Sequence, residues 1–293
     1  MRRPPKSWIR ILGGLVALWL LVVAWGLIFA WRTLPCFMPG ERVPLRAAIM
    51  TSREYDEMIA THVRPYVVTF ECGGGALLLY GAEHTKDRHD PKLEDIESQW
   101  RTFRPTVALC ESRLGIMFPG LMDAVETFGE PGFVHLLARQ SGIPTYSWEP
   151  PSEALIESLL QQHSNMEVAT KLILGPYFSN LRHGRPADPT AFVEEFRRKR
   201  VQWKGLEQTF DSVADIDAYW MMRFPNGPYW RNVSDEFGLP GFLAEIDTNA
   251  ARDEHFAQVV IERVRNEERV FAIAGVSHTV KLDAALRSTL CGQ

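Results

Sequence analysis

The chain lacks most of the short signatures that announce a chemistry. Its 293 residues contain no G-x-S-x-G, no H-E-x-x-H and no Walker A sequence, which excludes a nucleophile-elbow hydrolase, a zincin and a P-loop nucleotide site of the usual form. Cysteine is scarce. Cys36, Cys72, Cys110 and Cys291 contain no C-x-x-C pair, so neither a zinc ribbon nor a thioredoxin-type redox motif is present, and the spacing alone does not say which of them pair. There are no internal repeats and no low-complexity tract. Acid is missing from residues 1–32, which carry Arg2, Arg3, Lys6, Arg10 and Arg32. The remainder holds 27 basic against 36 acidic residues, a net −9, while the whole chain is at −4. An acidic body has the wrong field for phosphate backbones, so no nucleic-acid partner is expected.

The asymmetry of charge marks a different partner. From Ile11 to Trp31 the chain runs 21 residues without a charge, enough as a helix to span roughly 31 Å, one bilayer crossing. The run exceeds the roughly 7–15 residues of a signal-peptide core and ends at Trp31-Arg32 without a small-residue cleavage site, so an uncleaved anchor in the lipid bilayer is expected. Basic residues crowd its N-terminal flank. The positive-inside rule then predicts a cytoplasmic segment 1–10, a transmembrane anchor 11–31, and a single-pass protein with its body on the extracytoplasmic side, periplasmic in a bacterium. Residues 32–60 read as a linker, and 61–293 as one α/β domain.

Within that domain strands and helices alternate. Tyr66–Cys72 and Ala76–Tyr80, separated by Gly73-Gly74-Gly75, predict a β-hairpin. Asp90-Pro91 begins a helix whose apolar positions Leu93, Ile96, Trp100 and Phe103 recur at helical spacing, and the strand Thr106–Cys110 follows. A helix around Phe133–Arg139, a glycine stop at Gly142 and a strand Ile143–Trp148 form the next unit, and a helix Ala250–Glu267 precedes the strand Val270–Ala274. The expected fold is a central mixed, mostly parallel β-sheet flanked by helices. It carries a helical insertion at about 165–240, rich in aromatics (Tyr219, Trp220, Phe224, Tyr229, Trp230), which is either a lid or a subdomain packing its own rings.

Ligands of open parallel sheets bind beyond the carboxyl ends of the strands. Ionisable residues cluster there: Gly81-Ala82-Glu83-His84 after the second strand, Glu111 after the third, Glu149 after the fourth, and Gly275-Val276-Ser277-His278 after the last. Two G-x-x-H boxes and two carboxylates at one edge form an N/O donor set suited to zinc, manganese, cobalt or iron, with an open position for water whose proton a carboxylate can take. Glu83 turns either into the site or to solvent, whereas His89, His163 and the run Arg197–Arg200 read as surface features. Asn232-Val233-Ser234 matches the glycosylation pattern.

Taken in order, these boxes resemble the TraB/GumN family of the Tiki, erythromycin-esterase and ChaN-like superfamily. The resemblance covers about residues 65–290 and rests on Leu78–His84, on Cys110-Glu111-Ser112, on Trp148-Glu149 leading into a helix with Glu153, on Ala251–Ala257, and on Val270–His278. It implies a metal-dependent membrane protease, with His84, His278 and Glu111 as catalytic or metal-binding residues and Glu149 and Arg252 in support. The expectation is thus a membrane-anchored extracytoplasmic hydrolase, a peptidase, using a divalent transition metal. The alternative is a non-catalytic protein of the same fold that binds a peptide or a haem-like ligand at the same edge.

Overall fold

The computed structural model describes residues 6–118, 120–181, 184–233 and 241–292. It divides into two compact units, one built from residues 1–50, 54–149 and 257–293, the other from 51–53 and 150–256. Helix α1 (Lys6–Phe29) and the short α2 (Ser52–Met58) precede the sheet. The first unit then adds β1 (Tyr66–Cys72), β2 (Gly75–Ala82), α3 (Lys92–Phe103), β3 (Val107–Cys110), α4 (Ala124–Ser141) and β4 (Thr145–Ser147). Helices α5 (Ser152–Leu160), α6 (Asn165–Asn180), α7 (Pro189–Arg200), α8 (Val213–Arg223) and α9 (Phe242–Glu245) belong to the second unit. Helix α10 (Thr248–Arg265) returns the chain to the first, where β5 (Arg269–Gly275) and α11 (Val276–Cys291) complete it.

The sheet has the order β1-β2-β5-β3-β4. Only β1, joined to β2 by the hairpin, is antiparallel; β2, β5, β3 and β4 are mutually parallel, so the expected mixed, mostly parallel α/β sheet is the one found. Strand β2 is buried at every residue and β5 at all but the first, which is why both read as unbroken apolar runs rather than alternating ones. Leu78, Tyr80, Ala108, Cys110, Phe271 and Ile273 share a core with α3 and α4. In the hairpin turn Gly73 and Gly74 have φ of 63° and 92°. A Cβ on Gly75 would lie 2.0 Å from the Val264 carbonyl oxygen.

Helix boundaries follow their caps. The Asp123 carboxylate accepts the N–H groups of Val125 and Glu126, and α4 ends at Gly142 in the left-handed region. The stretch 124–132 was not part of the helix expected here, because Gly129 and Pro131 interrupt the periodicity. The structure carries the helix through them with a kink at Gly129, φ 66° and ψ −153°.

The stretch expected as a linker lies along the first unit. Trp31 bridges Met117, Cys36 bridges Ser147, and the N–H of Val43 and of Arg46 reach Gln258 and Thr289. Cys72 and Cys291 form a disulfide joining the end of β1 to the end of α11. Helix α1 coincides with most of the charge-free run, yet among the described residues no helix is long and apolar enough to cross a membrane. Trp31, the last residue of the expected span, lies beyond the end of α1, is 1% exposed and packs edge-on against His135 at 4.5 Å. Arg2 and Arg3 lie outside the described residues, as does Ser234 of the glycosylation pattern.

In the second unit, Ile173, Leu174, Tyr177, Phe178, Trp220 and Trp230 are buried in one core, with Tyr219, Phe224 and Tyr229 packed against it. The aromatic residues of the insertion therefore fill its own interior. Arg198 and Lys199 are exposed and pair with Glu194 and Glu195, as expected of a surface face, but Arg197 is half-buried, pairing with Glu194 and donating to the Phe210 carbonyl, and Arg200 lies over the rings of Phe196 and Trp203.

Candidate active site

The carboxyl edge of β2, β3 and β5 brings three of the expected residues together. Backbone pairing places them: the Glu111 N–H continues the β3–β5 ladder to the Ile273 carbonyl, 3.1 Å. That carries the Glu111 side chain to the point where β5 becomes α11, and its Oε2 accepts the Gly275 N–H at 2.6 Å. A carboxylate there also faces the positive end of a 16-residue helix. The other carboxylate oxygen, Oε1, lies 3.8 Å from Nε2 of His278, which sits in the first turn of α11 and is 4% exposed. Trp148, fully buried, holds the far side of that imidazole edge-to-face at 5.3 Å and is itself fixed by donating its indole N–H to the Ile273 carbonyl at 3.0 Å.

His84 arrives from the opposite direction. Its Nε2 stands 2.8 Å from where a Cβ on Gly275 would be, and Glu111 Oε2 stands 3.6 Å from the same point. The second box thus needs glycine for room rather than for a turn, since Gly275 has an ordinary φ of −56°. Gly81 of the first box lies inside β2, where a Cβ would meet the Tyr66 carbonyl at 2.8 Å and Thr279 at 3.1 Å. His84 and Ser112, each two residues beyond the end of β2 and β3, both have positive φ, 67° and 69°. Non-glycine residues in that region store about 1–3 kcal/mol each and concentrate at functional sites.

Beside this cluster is a pocket of about 140 Å³ lined by His84, Thr85, Lys86, Glu111, Ser112, Phe128, Gly129, Glu130 and Pro131. Glu130 is 1% exposed; its Oε1 accepts the Thr85 N–H at 2.8 Å, and its Oε2 has no hydrogen-bond partner. Glu130 and Lys86 were not among the expected residues. The available signal was Gly129-Glu130-Pro131-Gly132, an acid flanked by helix breakers in the middle of a helix.

The other expected residues are placed differently. Glu83 pairs with Lys92 and does not line the pocket. Glu149 is at the same sheet edge, two residues beyond Ser147, whose Oγ accepts its N–H. Arg252 belongs to the second unit and donates to Asn249 Oδ1 at 2.8 Å.

Among the described residues no three His, Cys, Asp or Glu side chains are grouped to hold a metal ion. Glu111 Oε2 already accepts the Gly275 N–H, and His84, Glu111 and His278 form no such group. What remains is a carboxylate fixed at a helix N-terminus, one buried and one exposed imidazole, and a small polar pocket.

No protein-family model, no curated protein and no solved structure matches the chain. The likeness to the TraB/GumN family rests on the residues themselves.

Proposed function

We propose that the protein is a hydrolase, a peptidase by substrate class, whose sheet-edge residues Glu111, His84 and His278 activate water. The observation that carries this reading is the convergence of Glu111 and His84 on Gly275, with His278 3.8 Å from the carboxylate. Acid–base hydrolysis needs a base for the attacking water and a proton donor for the leaving nitrogen within reach of one carbonyl. In this reading the water oxygen bonds to the carbonyl carbon as its proton passes to Glu111. The C–N bond breaks as His84 protonates the leaving amine, and proton transfer from Glu111 to His84 restores both groups. His278 and Trp148 hold the carboxylate in register.

Two features support a membrane-attached, extracytoplasmic setting. Leu12, Leu15, Val16, Leu18, Trp19, Leu20, Leu21, Val22 and Val23 of α1 are 37–68% exposed, an apolar surface that a bilayer would cover. The Cys72–Cys291 disulfide suits an oxidising compartment. The competing reading, capture of a haem-like ligand, fits less well: such ligands occupy pockets of about 300–1,000 Å³, and the pocket beside His84 offers about 140 Å³.

The test is cleavage of a fluorogenic peptide library by the purified full chain, with its metal content measured in the same preparation. Glu111→Gln and His84→Ala are expected to lower kcat/KM by about 10²–10⁴-fold, the scale of general acid–base catalysis, and EDTA is expected to leave activity in place. Unchanged cleavage in both variants sinks the site. Activity that vanishes with a removed metal and returns on its addition replaces the metal-free chemistry with the metal-dependent one.

A further inference from the structure

Glu130 is a pocket carboxylate for which the proposed hydrolysis has no use. It is a carboxylate buried to 1% exposure, in a place that the fold has been shaped to provide. The kink of α4 at Gly129 takes a backbone conformation essentially confined to glycine, and a Cβ there would lie 2.9 Å from the Thr85 carbonyl oxygen. Helix α4 is therefore broken at the one position that lets Glu130 reach under the loop bearing His84 and accept the Thr85 N–H. That bond uses Oε1. Oε2 is buried and without a partner.

Lys92, paired with Glu83, is close enough for its charge to interact with Glu130, but it makes no hydrogen bond to Oε2, which is left without a donor. Lys86, the one cation lining the pocket, is on its exposed side, and Glu111 adds a second carboxylate. A buried carboxylate oxygen without a hydrogen-bond donor is costly unless a donor reaches it. Among the described residues no group of three donors that includes Glu130 could hold a metal ion. A charge-assisted hydrogen bond from an organic ammonium needs no such set, only one acceptor in a site of limited size. About 140 Å³ has room for roughly four or five waters, hence for an amino group with a small side chain.

We infer that the pocket is a subsite for a primary ammonium group of the substrate, with Glu130 Oε2 as its acceptor. Resting on the peptidase reading, this assigns the substrate class as peptides presenting a free amino group close to the scissile bond, and it distinguishes that class from blocked ones.

The test compares binding of alaninamide, N-acetylalaninamide and Nα-acetyl-lysinamide to the full-length protein by calorimetry. Alaninamide is expected to bind at least tenfold more tightly than its acetylated counterpart. Binding of the lysine derivative instead would identify a side-chain amine as the source of the same ammonium. Glu130→Gln keeps an oxygen for the Thr85 N–H and removes the charge, so it is expected to weaken the ammonium probe at least tenfold with the melting temperature retained. Equal binding of free and acetylated alaninamide with no lysinamide binding overturns the subsite, and the wild-type comparison stands even if the variant does not fold. Peptide cleavage separates the two proposals. Hydrolysis of free and N-blocked peptides at equal kcat/KM removes the subsite and leaves the hydrolase. Glu130-dependent binding without any cleavage removes the hydrolase and leaves the subsite.

Discussion

At the scale of single residues the two glycines of the G-x-x-H boxes have separate jobs, and substitution distinguishes them. Alanine at Gly275 would meet His84 Nε2 at 2.8 Å, the end of an exposed side chain that can swing away. Gly275→Ala is therefore expected to lower kcat/KM at least tenfold by displacing His84, with little change in thermal melting. Gly81→Ala meets a backbone carbonyl at 2.8 Å that cannot move without disturbing the β1–β2 ladder. It should cost about 1–3 kcal/mol of stability by denaturant titration. His135 supplies a pH test. It is 7% exposed, and burial lowers its pKa from the usual 6.5 to about 4, with Arg139 adding to the effect. The folded chain keeps the imidazole neutral while the unfolded chain protonates it. Stability is thus full above pH 6.5 and is lost as pH falls toward 4, by about 3 kcal/mol. His135→Phe, which retains the ring against Trp31, should flatten that part of the pH–melting curve; an unchanged curve would assign the loss to other groups.

At the scale of elements, buried strands were legible and kinked helices were not. Strands β2 and β5 read correctly because a strand covered on both faces has no reason to alternate. The start of α3 at Asp90-Pro91 and the stop of α4 at Gly142 were legible because these residues act within one turn of their own positions, whereas the Asp123 cap of α4 was not anticipated. Helix α11 was not anticipated: it starts directly at the end of β5, and its buried Thr279, Lys281 and Thr289 break the apolar period. The first half of α4 was missed because Gly129 and Pro131 normally end a helix; here the break serves Glu130. The disulfide is an element-scale staple. Cys72 and Cys291 are 219 residues apart, so their bond ties β1, the edge strand, to α11 and closes nearly the whole domain. Replacing both with serine should lower stability by about 2–5 kcal/mol, read as a shift in the guanidinium midpoint under oxidising conditions that a reductant reproduces in the wild type. Identical midpoints with and without reductant would show that the bond carries no stability.

At the scale of the whole molecule the charge of −4 is the sum of a basic N-terminal segment and a body at −9, and the expected partition between bilayer and water follows it. The full chain in cells should remain with membranes through both high-salt and alkaline carbonate washing, and a chain lacking residues 1–30 should be released; release of the full chain by salt alone would mean electrostatic adhesion without insertion. The sequence by itself determined the alternating strand and helix order, the parallel edge on which ionisable residues gather, and the charge split, because each depends on neighbours a few residues apart. Only the tertiary structure decided that Glu111 bonds Gly275 while Glu83 pairs with Lys92, that Cys72 joins Cys291, that the insertion aromatics fill their own core, and that Glu130 lies under His84. Those outcomes depend on segments up to some two hundred residues apart meeting at one place, and local periodicity and spacing carry no information about that meeting.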